Sequence, residues 1–275
     1  MKEKNNYSNY MNVLKDVFLP FFIFYLLYMI ALSGLTSVVI ELLEKILLGT
    51  ENDLHDLIAS QETTVRVAIS GLSMLIGILP LIPGFGKEIK EHENGWSCKP
   101  YKSVLLTIIL AAASSITINI LFIKLHILET SESYRQVSEH QYGIVFLVGL
   151  FLYGSISPLT EEVLFRGIIY NRMKKYFPVK VSIVASALFF GVYHANLVQG
   201  IYGFLMGLLI AYIYEKFGNF LCAFLFHAVA NVVVYTVTSY ETLYSVLITP
   251  YSCVILAIVS VGVLAVISKI DKLSD

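Results

Sequence analysis

Eight apolar runs, nearly free of charge and close to the ~20 residues a helix needs to cross a bilayer, constrain this chain more than any other feature. They fall at roughly 17–40, 65–84, 102–123, 142–165, 180–197, 199–214, 220–238 and 245–268. The composition agrees, with 57% hydrophobic and 14% charged residues and a mean hydropathy of +0.74. A soluble domain carries roughly 25% charged residues. The expected fold is therefore an all-α polytopic membrane protein, a bundle of about eight transmembrane helices in the cell membrane. The first run is longer than a signal-peptide core of ~7–15 residues and no small-residue cleavage site follows, so it reads as a retained anchor. The weakest boundary lies at 196–202, where only Asn196, Gln199 and Gly200 interrupt the apolar pattern.

Loop charges set an expected orientation. Of the 19 basic residues, all but Lys45, Arg66, Lys124 and Arg135 fall on one side of an alternating eight-span arrangement. Excess Lys and Arg mark the cytoplasmic face, so both termini are expected inside. Residues 41–64 mix apolar and acidic side chains and read as an external amphipathic loop or helix. The chain divides into a membrane region of about three spans at 1–142, a core of about four spans at 143–238, and a last span with a cytoplasmic tail at 239–275. A net charge of −1, with no basic stripe and no Gly-rich phosphate loop, gives no sign of a nucleic-acid partner. Cys98 falls in an expected cytoplasmic loop and Cys222 and Cys253 in spans, so no disulfide is expected on the reducing side. No CxxC spacing suggests a metal site.

The ionisable residues at membrane depth are confined to one stretch. Glu161, Glu162, Arg166, His194 and His227 lie between 161 and 227. A charge at the bilayer centre costs at least ~2.5–3.5 kcal/mol on insertion scales, so such residues are rare and usually functional. Glu162 and Arg166 are four apart and can pair on a helix. Glu161 points about 100° away on an ideal helix of ~3.6 residues per turn and is left for chemistry. Pro158 removes a helix hydrogen bond, frees the carbonyl of Gly154 and allows a bend beside Glu161.

Depths can be compared from the basic hairpin at Lys175 and Lys180. Glu161 precedes Lys175, and His194 follows Lys180, by the same number of residues. At ~1.5 Å per residue both lie ~21 Å from the hairpin. His227 and Asn231 lie roughly 12 Å and 18 Å beyond Asn219 by the same rise. The four fit one layer of a bundle, expected to open toward the cytoplasm. Taken singly each has a plainer reading. A buried His is more often a bonded core residue, Asn231 can bridge helices, and Phe190 reads as packing. Gly203, Gly207 and Ala211 form a small-residue ridge for close helix contact.

Glu161-Glu162-x-x-x-Arg166, Phe190-x-x-x-His194 and His227-x-x-x-Asn231, in that order, resemble the three motifs of the CPBP intramembrane endopeptidases. That family includes the CAAX-processing Ras-converting enzyme and the bacterial Abi proteins. The resemblance covers roughly 143–236, and nothing before it is recognised. It implies an eight-helix membrane protease that hydrolyses a peptide bond in a membrane-associated peptide or protein. It further implies Glu161 as general base, His194 orienting the nucleophilic water, and His227 with Asn231 holding the oxyanion. Glu162 and Arg166 would brace the helix. There is no HExxH, so an ordinary zincin is not indicated. Metal-free water activation is expected, with no cofactor; if zinc binds, Glu161, His194 and His227 would supply three ligands and leave one position open. The rival readings are a non-catalytic bacteriocin-immunity or scaffold pseudo-protease, and a proton-coupled transporter. No inverted repeat of the transporter kind is evident.

Overall fold

The computed structural model of the 275-residue chain describes residues 11–47, 60–93 and 99–270. Inside a bilayer every backbone N–H and C=O must be satisfied within the protein, and a helix does so within its own segment. The apolar runs accordingly become helices, and among the described residues there is no strand. In chain order they are α1 (Met11–Ile46), α2 (Glu62–His92) and α3 (Pro100–Lys124), then a short polar helix α4 (Glu132–Tyr142). The core follows as α5 (Phe146–Met173), α6 (Val179–Tyr193), α7 (Leu197–Phe217) and α8 (Phe220–Ser239). A short α9 (Glu241–Leu247) leads into α10 (Pro250–Ser268). This is a multi-pass membrane protein.

Two of the expected boundaries change. Among the described residues seven helices are long and apolar enough to cross a membrane, while the fifth expected span is the 15-residue α6. The expected run 180–197 stops at Tyr193 because Ala195 takes a left-handed backbone conformation, φ 52°, and Asn196 caps the next helix by accepting from the N–H groups of Val198 and Gln199. The external segment expected at 41–64 is shorter. Residues up to Ile46 continue α1, Glu62 opens α2, and 48–59 lie outside the described residues. Cys98 lies outside them too; neither Cys222 nor Cys253 is in a disulfide.

Side-chain contacts sort the helix ends into two groups. At one end Arg172 Nε, in the last turn of α5, and Lys175 Nζ, just after it, each lie 2.9 Å from a carboxylate oxygen of Glu88 in α2. Lys174 reaches Glu215 at the end of α7, 3.0 Å away. Glu93 accepts from the N–H of Phe220 at 2.7 Å, and Lys216 donates to the carbonyl of Ser268. At the opposite end the N–H of Val145 donates to Thr64 Oγ1, Asn196 Nδ2 donates to Ser133 Oγ at 3.0 Å, and the rings of Phe146 and Tyr240 meet edge to face. Most of the described basic residues lie at the first end.

The core of the bundle is α5, with α7, α8 and α3 around it; α1 and α10 are the most lipid-exposed. The α6–α7 hairpin crosses closely. A Cβ on Gly191 would lie 2.6 Å from the carbonyl oxygen of Gly200, so only glycine permits this approach. Gly191→Val is therefore expected to lower the melting temperature in detergent, since overpacking typically costs ~1–3 kcal/mol. Gly262→Val, where nothing lies within 4 Å, is the control. Equal melting of the two variants would show that the crossing is loose.

Candidate active site

The local fold of α5 positions both glutamates. It is α-helical at Ser157–Glu162 but widens to π-helix before and after, at Leu152–Ile156 and Val163–Tyr170. Pro158 lacks the N–H that a regular helix would donate back, and such wide turns are a known outcome of an interrupted ladder. The widening leaves carbonyls outside the regular pattern, and Asn231 Nδ2 on α8 donates to one of them, Tyr153 O, at 3.0 Å.

Glu161 and Glu162 diverge as expected. Glu162 and Arg166 are fully buried and their N···O distance is 2.9 Å. The same carboxylate oxygen, Oε1, also faces His227 Nδ1 at 2.8 Å. Arg166 extends further, donating from Nη2 to the carbonyl of Gly207 on α7 and lying 4.7 Å above the Phe190 ring. A Cβ at Gly207 would lie 3.1–3.2 Å from Ala187 and Arg166, closer than side-chain carbons usually approach. The small-residue ridge is thus a helix contact and also the place where the guanidinium meets α7.

Glu161 is buried, 5% exposed. Its Oε1 accepts from Ser157 Oγ at 2.7 Å. Its Oε2 is 3.8 Å from His227 Nε2, too far for a direct hydrogen bond. His194 lies just past the last residue of α6, where its Nδ1 is 2.8 Å from the carbonyl of Phe190. A carbonyl only accepts, so Nδ1 of His194 carries a proton, and Nε2 presents a lone pair whenever the ring is neutral. Facing a carboxylate, Nδ1 of His227 is a donor by the same reasoning. Its Nε2 then bears a proton only in the imidazolium form. The Phe190 ring stands edge to face against both imidazoles, centroids 4.9 Å and 5.5 Å away.

Glu161, His194, His227 and Asn231 all line one cavity of about 540 Å³. The bundle therefore brings the four expected residues together, with Glu162 and Arg166 directly behind them. The expected opening is corrected. The wall runs through Phe122 near the end of α3, Tyr134 and His140 of α4, Gln199 at the start of α7 and Tyr235 near the end of α8. These residues belong to the end opposite the basic hairpin, so the cavity opens away from Lys175 and Lys180. Counting residues gives depth, but not which end is filled with side chains.

Three contributors escaped the sequence. Ser157 supports Glu161 through an i, i+4 contact that the spacing alone offered. Glu162 as the acceptor for His227 joins positions 65 apart and left no local signal. Helix α4 covers the cavity although its sequence reads as a polar loop. Its start is tied by the Asn196–Ser133 bond, and its last residue, Tyr142, stacks on Tyr235 at 5.6 Å. Burial pushes the Tyr134 hydroxyl up to about 12, so it stays a neutral donor and acceptor at the wall.

The geometry also bears on a metal. Zinc–ligand bonds of ~2.0–2.2 Å hold the donor atoms close together. Among the described residues, three such side chains bring donors within 4.8 Å of one another at Glu88, Glu91 and His92, where Glu88 is already engaged by Arg172 and Lys175. Glu161, His194 and His227 form no group of that compactness.

Residues 143–233 match the family model described as type II CAAX prenyl endopeptidase, Rce1-like. Over this segment, about a third of the chain, the protein is similar to the Rce1-like family. The matched stretch contains every residue of the cluster described above. The chain is also similar to the UPF0177 protein YxdF of Lactococcus lactis subsp. lactis (strain IL1403). The two are 23% identical over 144 residues, which cover 52% of this chain and 80% of that protein. No solved structure matches the chain at a significant level.

Proposed function

We propose that this Rce1-like protein is an intramembrane endopeptidase that hydrolyses a peptide bond in a membrane-associated peptide or protein, with water activated by Glu161 and His194. The observation that carries this reading is the division of labour between adjacent carboxylates. Arg166 closes on Glu162, while Glu161 faces a cavity of about 540 Å³ beside two imidazoles.

In the proposed reaction Glu161 takes a proton from water as the oxygen attacks the peptide carbonyl carbon. The lone pair of His194 Nε2 accepts the other water hydrogen and fixes its direction. A carboxylate in a mostly apolar cavity is suited to this general-base role. As the C=O bond opens, negative charge gathers on the carbonyl oxygen. His227, held by Glu162 and donating from Nε2 as an imidazolium, stabilises that charge together with the Asn231 amide, whose second N–H is left by the single bond to Tyr153. Donors fixed before reaction in a water-poor site are worth far more than in bulk water. The proton on Glu161 then passes to the departing amine nitrogen and the C–N bond breaks.

Purified protein in detergent, given quenched membrane-peptide substrates, tests the reading. Cleavage is expected to persist through prolonged chelation, and Asn231→Ala is expected to lower it on the order of 10²–10³-fold, as for loss of one oxyanion donor. Activity lost to chelation and restored by zinc would overturn the metal-free mechanism. A folded protein that cleaves none of a broad peptide set would favour a non-catalytic scaffold.

A further inference from the structure

The cavity lies at the end of the bundle that carries few cations. The basic end is fixed by contacts among Lys174, Lys175, Arg172 and Lys216. Lys87, Lys90 and Lys180 occupy the same ends of α2 and α6. The cavity end holds Lys45, Arg66, Lys124 and Arg135, and three of these are engaged by acidic neighbours. Lys45 pairs with Glu41, Arg66 with Glu62, and Arg135 with Glu132. Lys and Arg near span ends stay on the cytoplasmic side during insertion, because the bias acts on cations and not on net charge. The two observations are independent, one a matter of packing and the other of composition.

We infer that the catalytic cavity faces the extracytoplasmic side, and that it takes an uncharged stretch of a peptide lying on or emerging from that face. The second half follows from the wall. Tyr134, Tyr142, Tyr153, Tyr202 and Tyr235 line the cavity, and its lining has no Lys, Arg or Asp, with Glu161 as its only carboxylate. Burying a charged side chain without a partner in such a place is strongly unfavourable, whereas tyrosines offer both ring faces and hydroxyls to backbone amides. Helix α4 lies over this mouth and separates it from the aqueous phase, so a peptide reaches Glu161 from beneath or beside that cover. The word substrate here rests on the hydrolytic reading above; the sidedness does not.

Two measurements on the full-length protein separate the claims. In intact cells a membrane-impermeant maleimide is expected to label Gln136→Cys in α4 and Ser60→Cys at the start of α2. Lys180→Cys should label only after permeabilisation, and the parent, with its three native cysteines, should stay unlabelled from outside. The reverse pattern would overturn the sidedness. In sealed vesicles an added soluble quenched peptide is expected to be cleaved when they are right side out and spared when they are inside out. Cleavage in inside-out vesicles alone would overturn the inference and leave the protease reading standing. Outside labelling at Gln136→Cys with no cleavage even in detergent would sink the protease reading and leave the orientation standing. Asp or Lys placed beside the scissile bond is expected to abolish cleavage; peptides so altered and still cut would overturn the preference for uncharged segments.

Discussion

Glu161→Ala is expected to lower peptide hydrolysis by about 10²–10⁴-fold, the contribution typical of a positioned general base, with little change in melting temperature. The substitution removes a carboxylate whose one close hydrogen bond is to Ser157, and Glu162 still faces both Arg166 and His227. Quenched-peptide turnover and thermal melting of the same purified sample check both halves. Parent-like turnover would remove Glu161 as the base. Loss of turnover accompanied by a collapsed melting temperature would instead mark Glu161 as part of the scaffold.

Glu162→Ala is expected to be the most destabilising change in the site. Glu162 Oε1 serves Arg166 and His227 at once, and both glutamate and arginine are fully buried. Removing one partner of a buried pair typically costs ~3–5 kcal/mol, because the other charge is left uncompensated. The expected result is reduced membrane abundance and a markedly lower melting temperature. Arg166→Ala should be milder, since Glu162 keeps His227 as a partner able to carry positive charge. Combining Glu162→Leu with Arg166→Leu should restore much of the stability but no activity, because His227 still lacks the acceptor for Nδ1. Normal melting of Glu162→Ala would show that the guanidinium finds another partner. An active double variant would show that His227 does not need Glu162.

What the sequence revealed follows from the range of the interactions concerned. Membrane spans are encoded by runs of neighbouring residues, and Glu162–Arg166 by an i, i+4 spacing, so both were readable. The end of α6 was not, since the apolar pattern runs on past Tyr193 and only the left-handed Ala195 stops the helix. The Asn196 cap was a usable signal at that corner, where the boundary was weakest. The acceptor for His227 was invisible because it joins α5 to α8. The direction of the cavity was misread because distances from a hairpin say how deep a residue lies, and nothing about which half of the bundle is hollow. Helix α4 was passed over because a polar segment between spans resembles any loop.

The brevity of α6 has a consequence for the surrounding lipid. Fifteen residues span about 22 Å at ~1.5 Å each, against ~30 Å of hydrocarbon in a typical bilayer. A segment that short is accommodated by thinning the membrane beside it or by drawing flanking polar groups inward. The deficit falls beside His194, where the helix stops. Headgroups and water are therefore brought down next to the imidazole, and the bilayer itself becomes part of what hydrates the site. Longer acyl chains would oppose that thinning, so lipid thickness joins the side chains in setting how readily water reaches Glu161.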